Sequence, residues 1–352
     1  MFVYQNSKSH QGGEEHESFI FFRWKFFYEI KKVESEWVMN ERSAPNVLLC
    51  LAADPAHPGR LYGGTFDDGL WISDDSGETW EPAGPGIAHN RVMSVAVSPA
   101  EEKNGYRVVW AGTEPSGSFR SEDGGQTWTD CPGLLDLPSR TTWSFPPRPH
   151  THHVRWIEPD SHDENRIFVG IELGGVMKSE NKGAHWEDRK PNSQYDCHSL
   201  MIHPQVPGRI YEAAGGGYAE SFDAGTTWRT FNDGLEPYNY LVNIAVDSGN
   251  PDTMVASAAQ GPHTAYDPAR ASTILVRREN SGPWMPVYEG LPEPEGSAVF
   301  ALASDPADQG VFYGVNNLGF YMSYDAGRNW EKVPVEWPDH LKRKRTQGMV
   351  VI

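Results

Sequence analysis

Cysteine is scarce in this chain: Cys50, Cys131 and Cys197 are an odd number spread over 352 residues. That count excludes a disulfide framework and a Cys-x-x-Cys metal knuckle, and it fits a reducing compartment. Basic residues are also few, 30 Lys and Arg against 48 Asp and Glu, for a net charge of -18. A chain so acidic repels phosphate backbones and anionic lipid, so neither nucleic acid nor a membrane is an expected partner. No apolar run is long enough to span a bilayer. The most aromatic stretch, FIFFRWKFFY at 19 to 28, is interrupted by Arg23 and Lys25 and reads as strand. The opening MFVYQNSKSHQGGEEHE lacks the basic-then-apolar order of a secretory leader, so a cytoplasmic protein is expected. Residues 1–17 are too polar to pack and are expected to be a disordered tail, leaving 18–352 as a single domain.

Turn formers and tryptophan are plentiful, with 35 Gly, 27 Pro and 13 Trp. Five segments align: SDDSGETW (73 to 80), SEDGGQTW (121 to 128), SENKGAHW (179 to 186), SFDAGTTW (221 to 228) and SYDAGRNW (323 to 330). They share Ser-x-Asp/Asn-x-Gly-x-x-Trp. The physical reason is local: the Asp or Asn side chain caps its own turn, the Gly takes positive φ, and the Trp packs. Short apolar runs before each segment, such as LLCLAADP and GRLYGGTF, predict four strands per repeat. Adding Trp37 and Trp284 to the tryptophans that close the five segments gives 37, 80, 128, 186, 228, 284 and 330, at steps of 42 to 58 residues. Seven units of four antiparallel strands predict a closed seven-bladed β-propeller. The first unit lacks an innermost strand and RTQGMVVI (345 to 352) is left over, so the C-terminal strand is expected to join the N-terminal blade and close the ring. Six blades without that closure is the alternative.

Over residues 18–352 the repeat resembles the BNR or Asp-box propellers. That group includes sialidases, other glycoside-acting enzymes, sortilin-type receptors and photosystem assembly factors, so the resemblance implies a fold and leaves function open. Sialidases in the group need an arginine triad, an early Arg-Ile-Pro-like motif and a Tyr nucleophile backed by Glu. Arg-Ile-Pro does not occur here, and sialic acid is disfavoured.

Strand order puts the five box turns on one face of the ring and the loops between strands 4 and 1 and between 2 and 3 on the other. The two long steps carry their excess on that second face, in LPSRTTWSFPPRPHTHHVRW (137 to 156) and QGPHTAYDPARAS (260 to 272). Aligning innermost strands on Pro55, Pro99, Pro159, Pro204, Ser248 and Pro306 places Leu49, Met93, His153, His198, Val242 and Phe300 at one level. Two neighbouring blades thus present His where the others are apolar. Arg155 shares the His153 side, and Glu114 and Glu172 end the second strands of their blades.

The candidate catalytic residues are therefore His153, His198, Glu172, Arg155 and Asp196. The candidate ligand contacts are Arg148, His150, His152, Trp143, Glu114, Tyr218 and His263. His153, His198 and Glu172 form a mixed N and O set suited to one divalent metal ion. Three uses are consistent with these residues: metal-assisted lyase or hydrolase chemistry, metal-free glycoside hydrolysis by Glu114 with Glu172 or Asp67 with Asp196, and non-catalytic binding. The expected ligand is a small anionic or carbohydrate molecule; a protein partner is the alternative. The basic run LKRKR (341 to 345) reads as a solvated loop, and the glycines of AAGGGYAES as room for a loop to bend close to the channel.

Overall fold

The computed structural model describes residues 18–148 and 150–352; the expected tail at 1–17 lies outside them. Seven antiparallel sheets form a seven-bladed β-propeller. Blade 1 is built from Gly348–Val351, Ser18–Arg23, Phe26–Val33 and Glu36–Ser43, so the last strand of the chain is the innermost strand of the first blade. Its register with the first strand pairs Phe19 with Val351 and Phe22 with Gly348. Blades 2, 3, 5, 6 and 7 have four strands each, while blade 4 has three and completes its edge with a single bridge between Lys178 and Glu187. The innermost strands pack in order around the ring, and Gly348–Val351 touches its neighbours on both sides.

The five aligned segments form one repeated turn. In the first, the Ser73 hydroxyl donates to Asp75 at 2.8 Å and accepts from the Gly77 amide at 2.7 Å. Asp75 in turn accepts from the Thr79 amide at 2.8 Å and its hydroxyl at 2.6 Å. In the other four turns the Ser hydroxyl again accepts from the glycine amide, and Asp123, Asn181, Asp223 and Asp325 each accept from the amide four residues on. Each turn holds two successive positive-φ residues, where the sequence marks only the glycine. The residue before it is Ser76, Gly124, Lys182, Ala224 or Ala326. Gly77 is required twice over, because its φ is +88° and a Cβ there would lie 2.2 Å from the Phe27 ring.

The tryptophans that follow these turns fill the space between blades. Trp128, for example, is buried and donates Nε1 to the Ala83 carbonyl at 2.7 Å. Trp284 closes a unit without such a turn in the same way, through the Phe231 carbonyl at 2.9 Å. Trp37 differs: it lies within the outermost strand of blade 1, opposite Lys32, half-buried against Phe19 and Phe320. Among the described residues no helix is long and apolar enough to cross a membrane.

Candidate functional site

The innermost strands of blades 2 to 6 share an irregularity that builds the site. Their register slips between Leu48 and Cys50, Val92 and Ser94, Val154 and Trp156, Cys197 and Ser199, and Leu241 and Asn243. A residue skipped by the ladder is freed to turn aside. The five skipped residues, Leu49, Met93, Arg155, His198 and Val242, all line one cavity of about 850 Å³ at the mouth of the channel. Loop residues Phe145, Arg148, His263 and Tyr266 from the two long insertions complete its rim.

This register corrects the alignment drawn from the prolines. Asp54, Asp160, Asp247 and Asp305 each accept from the amide two residues on, at 2.7 to 2.9 Å, so they share one position in the turn after the innermost strand. The equivalent of Pro55 in blade 4 is therefore Ser161, and Pro159 still lies inside the strand. Arg155, not His153, stands level with His198. His153 and Asp196 each lie two residues earlier.

The polar side of the cavity is a connected set. Glu172 Oε2 accepts from His153 Nε2 at 2.9 Å and lies 3.7 Å from Arg155 Nε. Burial opposes ionisation of Glu172, but the His153 hydrogen bond and the charges of Arg155, His153 and His198 outweigh it and hold the carboxyl down to about 2. Beneath it, His153 Nδ1 is 3.8 Å from Glu114 Oε2. Glu114 is itself buried under a two-pronged contact from Arg148, at 2.5 and 2.6 Å, and by Arg91 at 3.0 Å. On the blade 5 side, Asp196 Oδ2 is 3.4 Å from His198 Nε2, and its Oδ1 accepts from the Leu173 amide at 3.3 Å. Gly215 makes room for it, since a Cβ there would lie 2.1 Å from Asp196 Oδ2.

Several expected contacts are elsewhere. Tyr218 is fully buried in its blade, donating to Glu220 at 2.6 Å and packed on Trp284. Trp143 is buried and bonded to Ser139, so it offers no stacking face. His152 turns the other way from His153, against Trp143 and the Ser116 hydroxyl. His150 is exposed outside the cavity lining, and Glu114 supports His153 from below it. Asp67 is exposed and held by Asn46, so the Asp67 and Asp196 pair is not formed. Of the other expected residues, Arg148, Arg155, Glu172, Asp196, His198 and His263 line the cavity with His153.

The lining residues that were not anticipated include Tyr240, Tyr266 and Arg345. Tyr240 stacks edge-on against His198, and its hydroxyl is 3.2 Å from that of Tyr266. Arg345, the last residue of the basic run, lies with its guanidinium 4.3 Å over the Tyr266 ring. Among the described residues it has no carboxylate within ion-pair distance, and burial together with the Arg155 charge lowers its pKa. The sequence held a signal for Arg345: ring closure by the final strand puts the residues just before it at the same mouth as Asp196 and His153.

No family model matches the chain. An oligoxyloglucan-reducing end-specific xyloglucanase from Emericella nidulans is 23% identical over 304 residues, covering 80% of this chain and 34% of that protein. An ancestral GH74 enzyme superposes with a TM-score of 0.62 at 16% identity, over 87% of this chain and 38% of the other. A structure of YCF48 bound to D1 peptide gives a TM-score of 0.55 at 18% identity, over 86% of this chain and 91% of the other. These likenesses establish the propeller. The chain spans about a third of the length of the xyloglucanase it matches.

Proposed function

We propose that this propeller recognises or processes an anionic carbohydrate at the channel mouth. The observation that carries the reading is the pair Arg155 and Arg345, two guanidinium groups facing one cavity, the second with no carboxylate partner among the described residues. A ligand carboxylate would supply the missing charge, and guanidinium groups suit it through paired hydrogen bonds. Tyr240, Tyr266 and Phe145 add the flat surfaces a sugar ring needs, and the volume is that of a small-ligand site. The similarity to xyloglucanases supports a carbohydrate ligand, and the five box turns support placing the chain among the Asp-box propellers. If the site is hydrolytic, Glu172, held ionised, serves as base or nucleophile and not as the proton donor. The three buried unpaired thiols support a reducing, cytoplasmic setting.

Titration of the full chain with glucuronate, galacturonate and neutral glucose tests this reading. Binding confined to the acid sugars, and weakened about tenfold or more in Arg345→Gln, is expected; equal affinity in that variant, or none for any acid sugar, overturns it. A second reading has its own support, because the YCF48 chain, in a structure with a bound peptide, is matched over 91% of its length. On that reading the same face docks a peptide segment without chemistry, and a full-chain pull-down that loses its partner on mutation of Phe145 and Arg148 would favour it.

A further inference from the structure

The nitrogen of His198 that faces the cavity is in an unusual position. Its Nδ1 is 2.6 Å from the Leu241 carbonyl oxygen in the next blade. A carbonyl only accepts, so Nδ1 carries a proton and Nε2 is the ring nitrogen left to face the cavity. That Nε2 is buried and has no hydrogen-bond partner among the described residues. It points at two carboxylates, Glu172 and Asp196, and the three donor atoms lie within 4.8 Å of one another. Two carboxylates and an imidazole nitrogen converging on one point are the donor geometry that holds a cation.

We propose that Glu172, Asp196 and His198 bind a divalent transition cation, of the Mn²⁺ or Zn²⁺ class, at the channel mouth. One imidazole and two carboxylates match the mixed donors these ions take. The surroundings are those of a ligand set: the Leu241 carbonyl fixes the His198 tautomer, the Leu173 amide orients Asp196, and His153 holds Glu172. His153 is a positioning residue here, because its Nε2 is already committed to Glu172. Arg155 offsets part of the carboxylate charge, so the cation leaves the cluster with a net positive charge toward the cavity. The inference goes beyond the saccharide reading and does not need it.

The test is titration of the chelator-treated full chain with MnCl2 and with ZnCl2 by calorimetry, with the electron paramagnetic resonance of bound Mn²⁺ as a second readout. An acid-rich chain collects cations loosely, so the criterion is one tight equivalent per chain that depends on these residues. That equivalent is expected in the wild type, weakened about 100-fold in Asp196→Asn and lost in His198→Ala, with His153→Gln weaker by about 10- to 100-fold. Should His198→Ala fail to fold, the near-isosteric Asp196→Asn carries the test. Identical titrations of wild type and Asp196→Asn overturn the proposal. So does a nitrogen spectrum in which both His198 ring nitrogens are protonated at neutral pH and stay so on adding metal. No sugar is present, so a tight metal site without acid-sugar affinity sinks only the saccharide reading, and the reverse result sinks only this one.

Discussion

Arg155 and His198 occupy the same rung of neighbouring blades, each the residue that the strand ladder skips, and both point into the channel mouth. Their equivalents in blades 2, 3 and 6 are Leu49, Met93 and Val242. The backbone thus offers one inward position in each of blades 2 to 6, and the chemistry of the cavity is set by which residue each of them places there.

Gly215 is the test of that placement on the blade 5 side. Gly215→Ala puts a methyl into Asp196 Oδ2, and the aspartate must turn away from His198. The expected cost to stability is about 1–3 kcal/mol. Ligand or cation affinity should fall together with it, and a crystal structure of the variant with Asp196 unmoved would refute the account.

Tyr218 should behave in the opposite way. Its hydroxyl belongs to a buried network with Glu220, Arg209 and Arg278. Tyr218→Phe should destabilise the fold by about 1–2 kcal/mol while leaving ligand affinity unchanged; denaturant midpoints beside a binding isotherm separate the two effects.

The box turns leave room for stabilisation. Ala224 and Ala326 sit at φ of 55° and 63°, where blade 3 already has Gly124. Left-handed backbone costs a residue with a Cβ about 1–2 kcal/mol, partly offset by the greater freedom glycine has when unfolded. Ala224→Gly and Ala326→Gly are each expected to raise stability by about 0.5–1 kcal/mol, read as a rise in Tm.

Acid should weaken the same turns. Bonds from Thr79 hold the Asp75 carboxyl down to about 2. At Asp123, Asp223 and Asp325 burial works the other way, yet the bonds they accept still lower the pKa. A group whose folded pKa is below its unfolded value stabilises fully above the latter, about 3.9 for Asp. That contribution is lost as pH falls from about 4 toward 2. Tm measured across that range should decline less steeply in Asp75→Asn than in the wild type, and parallel curves would count against the turn's role.

Ring closure rests on four residues. Deleting residues 348 to 352 removes the innermost strand of blade 1 and exposes Phe19, Phe21 and Ile20. The truncated chain is expected to lose cooperative unfolding and bind a hydrophobic dye; a sharp wild-type transition would show that the ring does not depend on this strand.

The blade count, the box turns and the closing strand were legible in the chain because each depends on near neighbours. The turn from Ser73 to Trp80 closes on itself, and the spare strand at 348 to 351 follows from a first unit that lacks one. Position within the site was less legible. Pro159 resembles the other strand-ending prolines yet lies two residues before the true turn, and only pairing to Ile167 reveals this. Tyr218 and Trp143 have the composition of a sugar site but are consumed by packing. Arg345, in a run of solvated appearance, reaches the mouth because the ring closes there. Seven blades follow from the chain alone, since turn geometry and strand alternation act over a few residues. Which side chains meet across blades was decided by tertiary structure, because bulges and inter-blade hydrogen bonds join residues tens of positions apart.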